Sequence, residues 1–111
     1  MATSETTKRS WVIDLDPDKA RLRCAYRRRR KRIVQFTVQV EVFHDDRWLP
    51  VVRYDNAHGF CHCDTIHVDG SQDKQPVYYG EANDTFTRAI DDLRRSWRDH
   101  CARFMRETEH D

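Results

Sequence analysis

The sequence predicts an α+β fold, in which an antiparallel β-meander of three to four strands is packed by a long C-terminal amphipathic helix. Within residues 33–43, apolar and polar side chains alternate with a period of two, which is typical of a strand that buries one face. Towards the C-terminus, apolar side chains recur at steps of three and four, which is typical of a helix that buries one side. These side chains are Phe86, Ile90, Leu93, Trp97, Cys101 and Phe104.

The N-terminal part carries weaker patterns. Residues 1–10 mix small, polar and charged side chains without a period, so they predict a flexible tail ahead of one α+β domain at residues 11–111. Residues 11–15 predict a short strand. Asp16 and Pro17 then predict the start of a short basic helix that ends near Arg29, because Asp caps free amides and Pro is tolerated in the first helical turn.

The alternating segment at residues 33–43 places five apolar side chains on one face of a strand. They are Val34, Phe36, Val38, Val40 and Val42. Residues 44–47 predict a hairpin turn, and further strands are predicted at residues 48–55, 60–68 and 76–79. Asn83 or Asp84 can cap the final helix, whose apolar side is expected to cover the valine face of the sheet.

Composition excludes several classes of protein. The chain has 111 residues and is 38% hydrophobic and 35% charged, which suits one small globular domain. It contains neither an apolar run of membrane-spanning length nor the apolar region of a secretory signal, so a cytoplasmic protein without a membrane partner is expected. Four cysteines, two of them separated by a single residue, are unlike a secreted disulfide framework and predict free thiols.

The net charge of +1 conceals an uneven distribution. Residues 1–32 hold 11 Lys and Arg against 4 Asp and Glu, whereas residues 33–82 hold 3 against 8. An unbroken basic run occupies Arg27, Arg28, Arg29, Arg30, Lys31 and Arg32. Such a run neutralises nucleic-acid phosphates by releasing counterions, or it pairs with acidic groups of the same protein. Both interpretations are open, because the middle of this chain is acidic.

One segment concentrates side chains that carry chemistry. Residues 53–67 hold three histidines, two aspartates, two cysteines, one arginine and one tyrosine. This set suits metal-independent cleavage of RNA, in which a base activates the 2′-hydroxyl, an acid protonates the leaving oxygen and a cation neutralises the phosphate. The predicted catalytic residues are Arg53, Tyr54, Asp55, His58, His62, Asp64 and His67.

In this hypothesis His62 and His67 act as base and acid in either order, and one of the two aspartates orients an imidazole. Arg53 lies by the phosphate, while Tyr54 donates a hydrogen bond or stacks on a base. On an unbroken strand the two imidazoles point to opposite faces. A shared site therefore requires a bulge, a loop, or the replacement of one of them by His58.

Two other hypotheses are open for the same segment. On a regular strand Cys61, Cys63 and His67 share a face, and His58 could complete a tetrahedral zinc site from the loop. In the structural alternative, Gly59 supplies a positive φ in a turn and the histidines hydrogen-bond around it. The main prediction names no cofactor and no metal, with zinc as the weaker alternative.

The segment also resembles two prokaryotic families. One is a family of domains of unknown function, similar over about residues 11–104, and the other comprises the TumE-type toxins of toxin-antitoxin systems, similar over residues 34–97. For the family of unknown function, the resemblance is carried by Arg53-Tyr54-Asp55, Ala57-His58-Gly59-Phe60, Asp64, His67 and Asp69-Gly70. For the toxins, it is carried by residues 52–56, the His/Gly/Asp-rich stretch to His67, the turn before residues 76–78 and the closing Trp-bearing helix. The toxin resemblance implies a small antiparallel sheet with a packed helix, a growth-inhibiting action on RNA and an antitoxin partner. It points to Arg53, Tyr54, Asp55, His62, Asp64 and His67.

These observations together predict a cytoplasmic, toxin-like protein that acts as a metal-independent ribonuclease. Its expected partners are RNA and a cognate antitoxin protein, and a homodimer is also considered. The alternative is a noncatalytic module that binds nucleic acid or a protein through the basic run.

Overall fold

The computed structural model describes residues 5–110 of the chain. Within them, six strands form one sheet and a single long helix follows the last strand. The strands are β1 (Thr7–Asp16), β2 (Ala20–Arg29), β3 (Arg32–His44), β4 (Arg47–Asp55), β5 (Cys61–Ile66) and β6 (Gln72–Tyr78), and the helix is α1 (Ala82–Glu109).

Every strand pairs antiparallel with the next one along the chain, so the sheet is a meander in the order β1-β2-β3-β4-β5-β6. The turn between β3 and β4 shows how the sequence permits this. Asp45 and Asp46 have φ angles of 51° and 63°. A two-residue hairpin turn of type I′ requires this left-handed conformation at both central residues, and aspartate tolerates it.

The predicted fold is wrong in the number of strands and in the N-terminal helix. The sheet has six strands instead of three to four, and the predicted basic helix is absent from residues 5–110, where a turn and β2 occupy its place. Ala20, Leu22 and Cys24 are buried at every second position of β2. A period of two is that of a strand and not of a helix. In addition, Asp18 has a φ of 65°, so a right-handed helix that starts at Asp16 cannot continue through it.

The N-terminal strand also begins earlier than the predicted one. β1 starts at Thr7, so residues 7–10 of the predicted tail belong to a strand, whereas residues 1–4 lie outside the described residues. The α+β class and the C-terminal helix agree with the sequence prediction. Within residues 5–110, no helix combines the length and the apolar character that a membrane span requires.

The core lies between α1 and one face of the sheet. Leu22, Val38 and Val40 are fully buried there, together with Leu93 of the helix. Phe36 lies at the edge of this layer, where its ring is 5.2 Å from that of Phe86. The alternating residues of β2 and β3 therefore supply the apolar side of the sheet that the helix covers.

Arg103 fixes the C-terminal half of the helix to the sheet. One of its guanidinium nitrogens, Nη2, donates to the carbonyl oxygen of Val51 at 2.7 Å, and the other, Nη1, donates to that of Ile66 at 2.9 Å. Nη1 also lies 3.3 Å from Glu107, one helical turn further on. These hydrogen bonds satisfy two backbone carbonyls that would otherwise lack partners under the helix.

The opposite face of the sheet, here called the polar face, carries charged and polar side chains. The register brings Arg23, Gln39, Arg53, Asp64 and Lys74 opposite one another across β2 to β6. The face also holds Arg21, Glu41, Asp55 and His62. Since α1 covers only the other side of the sheet, the polar face is not covered by the helix, and its side chains can form a binding site.

Candidate nucleic-acid interface

The basic run forms a hairpin at one end of the sheet. Residues 27–32, here called the basic hairpin, end β2 and begin β3, with Arg29 paired to Arg32 and a turn at Arg30 and Lys31 between them. In the described part of the chain, no carboxylate forms a salt bridge with any of its six side chains. Of the two open interpretations, pairing with the acidic middle of the chain is therefore not found among the described residues.

The basic hairpin is held by the start of the helix. The side-chain oxygen of Asn83 accepts a hydrogen bond from the Ile33 amide at 2.8 Å, and its nitrogen donates to the carbonyl of Lys31 at 3.1 Å. Asn83 was predicted as a helix cap, but the N-cap position is Glu81, which makes no side-chain capping bond. The amide that could have capped the helix instead fixes the position of the basic hairpin.

A hollow on the polar face adjoins the basic hairpin. It has a volume of about 370 Å³, and small side chains from three neighbouring strands form its floor. These side chains are Ser10, Ala25 and Thr37. Lys8 and Arg27, which face each other across β1 and β2, line it together with Gln35. The lining therefore includes three basic residues, Lys8, Arg9 and Arg27, and no acidic one, which suits an anionic ligand.

Further along the polar face, a carboxylate offsets part of the positive charge. Glu41 lies 2.6 Å from Nε of Arg21 and 3.2 Å from Nε of Arg23, and it accepts a hydrogen bond from Gln39 at 2.6 Å. Burial alone would raise the pKa of Glu41, but the bonds from Arg21 and Gln39 and the charge of Arg23 lower it below its ordinary value. The basic hairpin has no such carboxylate among the described residues, so the positive charge is highest there.

Three of the predicted catalytic residues meet at the start of β5. The rings of His58 and His62 are 5.1 Å apart, and Nδ1 of His62 lies 3.8 Å from Oδ1 of Asp55. His62 is buried and His58 is exposed. Arg53 lies two residues before Asp55 on the same face, where its Nε donates to Gln39 at 2.8 Å. This group holds two imidazoles side by side, one beside a carboxylate and one in contact with solvent.

The remaining predicted catalytic residues lie elsewhere. Tyr54 faces the core, where burial raises the pKa of its hydroxyl, and its ring lies 6.0 Å from that of Tyr78. Asp64 is buried on the polar face and pairs with Lys74 at 3.1 Å. His67 lies beyond the far end of β5, roughly 16 Å along the strand from His62. The structure therefore does not bring His62 and His67 into one site.

The cysteines of the same segment lie on the covered side of the sheet. Cys61 and Cys63 are buried under the helix, and burial raises their pKa values to about 12 and about 11. His67 does not join them, because it is bound by carboxylates beyond the end of β5. Among residues 5–110, no three His, Cys, Asp or Glu side chains are grouped as metal ligands. The proposed zinc set of Cys61, Cys63 and His67 is therefore not assembled.

Sequence reasoning missed an aromatic pair beside the two imidazoles. The rings of Phe60 and Tyr79, here called the aromatic pair, stack at 5.2 Å with an angle of 30° between their planes. Phe60 also lies 4.8 Å from the ring of His62. Tyr79 is 75% exposed, whereas its neighbour Tyr78 is buried. The sequence could have indicated the exposed ring, because Tyr78 and Tyr79 are adjacent at the end of a strand and successive side chains of a strand point to opposite faces.

The matching family model describes a domain of unknown function, DUF7718, and it covers residues 1–110. The chain belongs to this family. No curated protein and no solved structure matches it. The DUF7718 match agrees with the prediction of a domain of unknown function, but none of these comparisons links the chain to the TumE-type toxins or to the predicted signature residues.

In this DUF7718 domain, His67 ties the end of the helix to the β5–β6 turn. Its Nδ1 lies 2.8 Å from Glu107 and its Nε2 lies 2.7 Å from Asp73. Glu107 also accepts a hydrogen bond from the amide of Val68 at 3.1 Å and contacts Arg103. Hydrogen bonds to Asp73 and then to Glu107 raise the pKa of His67 above its ordinary value of 6.5. The residue therefore has a structural role.

This contact predicts a pH dependence of stability. A raised pKa in the folded state means that protonated His67 stabilises the fold below about pH 6.5, and that this contribution is lost as the pH rises through the folded-state pKa. The melting temperature should fall over that range, and the fall should be smaller in His67→Gln. Thermal unfolding of both proteins from about pH 6 to about pH 9 measures this. Parallel curves for the two proteins would contradict the assignment.

Proposed function

We propose that the protein binds nucleic acid through the basic hairpin and the adjoining end of the polar face. The observation that carries this proposal is the run of six consecutive basic side chains without an acidic partner in the described residues. Unpaired cations on a fixed hairpin are the groups that displace counterions from a phosphate backbone. An intramolecular role for the run would require the salt bridges that this part of the chain lacks.

The surroundings of the basic hairpin support the same function. The side chain of Asn56 accepts from the Phe36 amide at 2.8 Å and donates to the carbonyl of Val34 at 3.3 Å. This places the loop between β4 and β5 beside the start of β3. The hollow, the two imidazoles and the basic hairpin therefore lie at the same end of the sheet, where one extended polyanion can contact all of them.

The helix face does not offer a comparable surface. Its exposed arginines are interspersed with aspartates, as in the pair formed by Arg95 and Asp92 at 3.1 Å. Residues 83–111 hold 6 Lys and Arg against 7 Asp and Glu, so their net charge is close to zero. A mixed surface of this kind is typical of a solvated helix and does not attract a phosphate backbone.

The salt dependence of binding tests the proposal. A fluorescein-labelled RNA of about 20 nucleotides should bind the wild-type protein, and its affinity should fall steeply as salt rises from about 50 to about 200 mM, since each neutralised phosphate adds about 0.7 to the logarithmic slope for a single strand. Fluorescence anisotropy at several salt concentrations gives this slope. A lack of binding at the lowest salt concentration would refute the proposed function.

A second candidate function is the RNA cleavage that the toxin resemblance implies. The observation that favours it is the contact of His58 with His62, whose Nδ1 faces Asp55. One imidazole would take the proton of a 2′-hydroxyl while that oxygen attacks the adjacent phosphorus. The other would protonate the departing 5′-oxygen, which leaves a 2′,3′-cyclic phosphate and a 5′-hydroxyl. Arg53, on the same face, would stabilise the charge on the phosphate.

His58 is the residue at which to test cleavage, because it is exposed and its replacement leaves the core intact. If the pair is catalytic, His58→Ala should lower the rate of RNA cleavage by roughly 100-fold or more while RNA binding persists. His44→Ala, at the opposite end of β3, is the matched control. Growth after induced expression and the integrity of cellular RNA give the corresponding test in a bacterial host. Equal cleavage by wild type and His58→Ala would exclude this mechanism.

A further inference from the structure

We infer that the nucleic acid bound at this end of the sheet is single stranded, with a base stacked on the aromatic pair, Phe60 and Tyr79. This inference rests on the proposed function and adds the class of ligand to it. The basic hairpin alone would bind any phosphate backbone, whether single or double stranded. The aromatic pair distinguishes between the two, because only an unpaired base has a free ring face to offer.

The aromatic pair is arranged as a platform. Tyr79 is 75% exposed, while its ring is supported from behind by Phe60 at 5.2 Å. Phe60 is in turn packed against His62 at 4.8 Å, and His62 against His58 at 5.1 Å. A series of three rings in contact thus begins at the buried imidazole of His62 and ends at the solvent-exposed ring of Tyr79. An exposed aromatic ring held in a fixed orientation can stack on a base with little further loss of freedom.

The platform lies at the correct end of the sheet for such a ligand. Tyr79 follows β6 and Phe60 precedes β5, at the same end as the Asn56 loop that bonds to the start of β3. From the hollow at Ala25 to His62, the distance spans three strand spacings, or roughly 14 Å. A short single strand can therefore place its phosphates at the hollow and a base on Tyr79.

Asp55 lies between the two contact points and does not oppose this path. Its Oδ1 accepts a hydrogen bond from the Ala57 amide at 3.0 Å and faces the Nδ1 of His62. The carboxylate is thereby turned towards its own loop and only 18% of the side chain is exposed. Thr37, which precedes it in the row across the sheet, is uncharged. Asp55 is the one carboxylate in the row from Ala25 to His62 and is mostly covered, so the phosphates of a strand can pass over this row without touching it.

The test compares a labelled single-stranded RNA of about 12 nucleotides with a duplex of the same length. The wild-type protein should bind the single strand more tightly. Tyr79→Ala should weaken single-strand binding by roughly 5- to 150-fold and leave duplex binding and the salt slope unchanged. Tyr79→Phe retains the ring and should restore the affinity. Phe43→Ala is the control, since Phe43 is a second exposed aromatic residue, at the opposite end of β3.

The outcomes separate this inference from the function on which it rests. If the protein binds both RNAs equally and Tyr79→Ala binds as the wild type does, the single-strand inference is wrong and nucleic-acid binding stands. If neither RNA binds, the proposed function itself fails. If poly-glutamate of equal charge displaces RNA as well as unlabelled RNA does, the basic hairpin recognises acidic protein segments, and both are overturned.

Discussion

Neutralising the basic hairpin should weaken nucleic-acid binding by roughly tenfold or more at about 100 mM salt. The variant is the triple substitution Arg27→Gln, Arg29→Gln and Arg32→Gln, at three exposed positions of β2 and β3. Glutamine is shorter than arginine but polar and uncharged, and all three positions are exposed, so the strands should persist. If each arginine neutralises one phosphate, the logarithmic salt slope for a single strand should fall by about 2. Fluorescence anisotropy measures both quantities.

The matched control removes the same charge from the other side of the molecule. Arg94→Gln, Arg95→Gln and Arg106→Gln lie at exposed positions of α1, on the opposite side of the sheet from the polar face. This protein should bind RNA within about twofold of the wild type and keep its salt slope. If the helix variant loses as much affinity as the hairpin variant, binding follows net charge, and no defined surface is involved.

Truncating Leu93 should produce the largest loss of stability. This residue of α1 is fully buried against the sheet. Leu93→Ala removes its contacts and leaves a cavity, which for a buried leucine costs about 2–5 kcal/mol in the free energy of unfolding. Chemical denaturation of the wild type and the variant measures this difference.

Met105→Ala provides the comparison for Leu93, since Met105 lies on the same helix and is 36% exposed. It should lose less than about 1 kcal/mol. The difference between the two substitutions shows which face of the sheet α1 covers. The proposed interface requires that α1 packs on the apolar face, since the polar face is then accessible. Equal effects of the two substitutions would contradict the packing of α1 on the sheet.

The sequence predicted the centre of the fold better than its N-terminal part. In β3, the polar residues Gln35, Thr37, Gln39 and Glu41 alternate with apolar ones, so the period of two is clear and the strand was placed within two residues of its bounds. In β2 only Ala20, Leu22 and Cys24 are buried, and arginines occupy the two positions between them. The apolar residues of this segment also fit a weak amphipathic helix. Only the pairing with β1 and β3 decides between a helix and a strand.

The candidate site was also predicted only in part, because some of its residues could be placed by side-chain alternation and others only by contacts distant in sequence. Side-chain alternation along β4 places Arg53 and Asp55 on one face and Tyr54 on the other. This alternation, applied to the sequence, would have assigned Tyr54 to the core and not to the site. The surroundings of His67 could not be inferred locally. Its partner Glu107 lies 40 residues further along the chain, and their contact depends on where the helix ends relative to the sheet.

The structure separates the chemistry of the chain into two regions. The covered side of the sheet holds neutral thiols and a buried tyrosine, whose raised pKa values keep them protonated near neutral pH. The polar face holds the imidazoles, the carboxylates and the arginines. Its positive charge is highest at one end, because Glu41 offsets one of the two charges of Arg21 and Arg23 further along. Binding is therefore expected at that end and not across the whole face.

A map of the amides perturbed by RNA tests the central claim most directly. In nitrogen-proton correlation spectra of the labelled protein, titration with a single-stranded RNA of about 12 nucleotides should shift amides of the basic hairpin, the hollow and residues 58–62. The exposed face of α1 should remain unchanged. Shifts confined to α1, or spectra unaltered at saturating RNA, would contradict the assignment of this end of the sheet as a nucleic-acid interface.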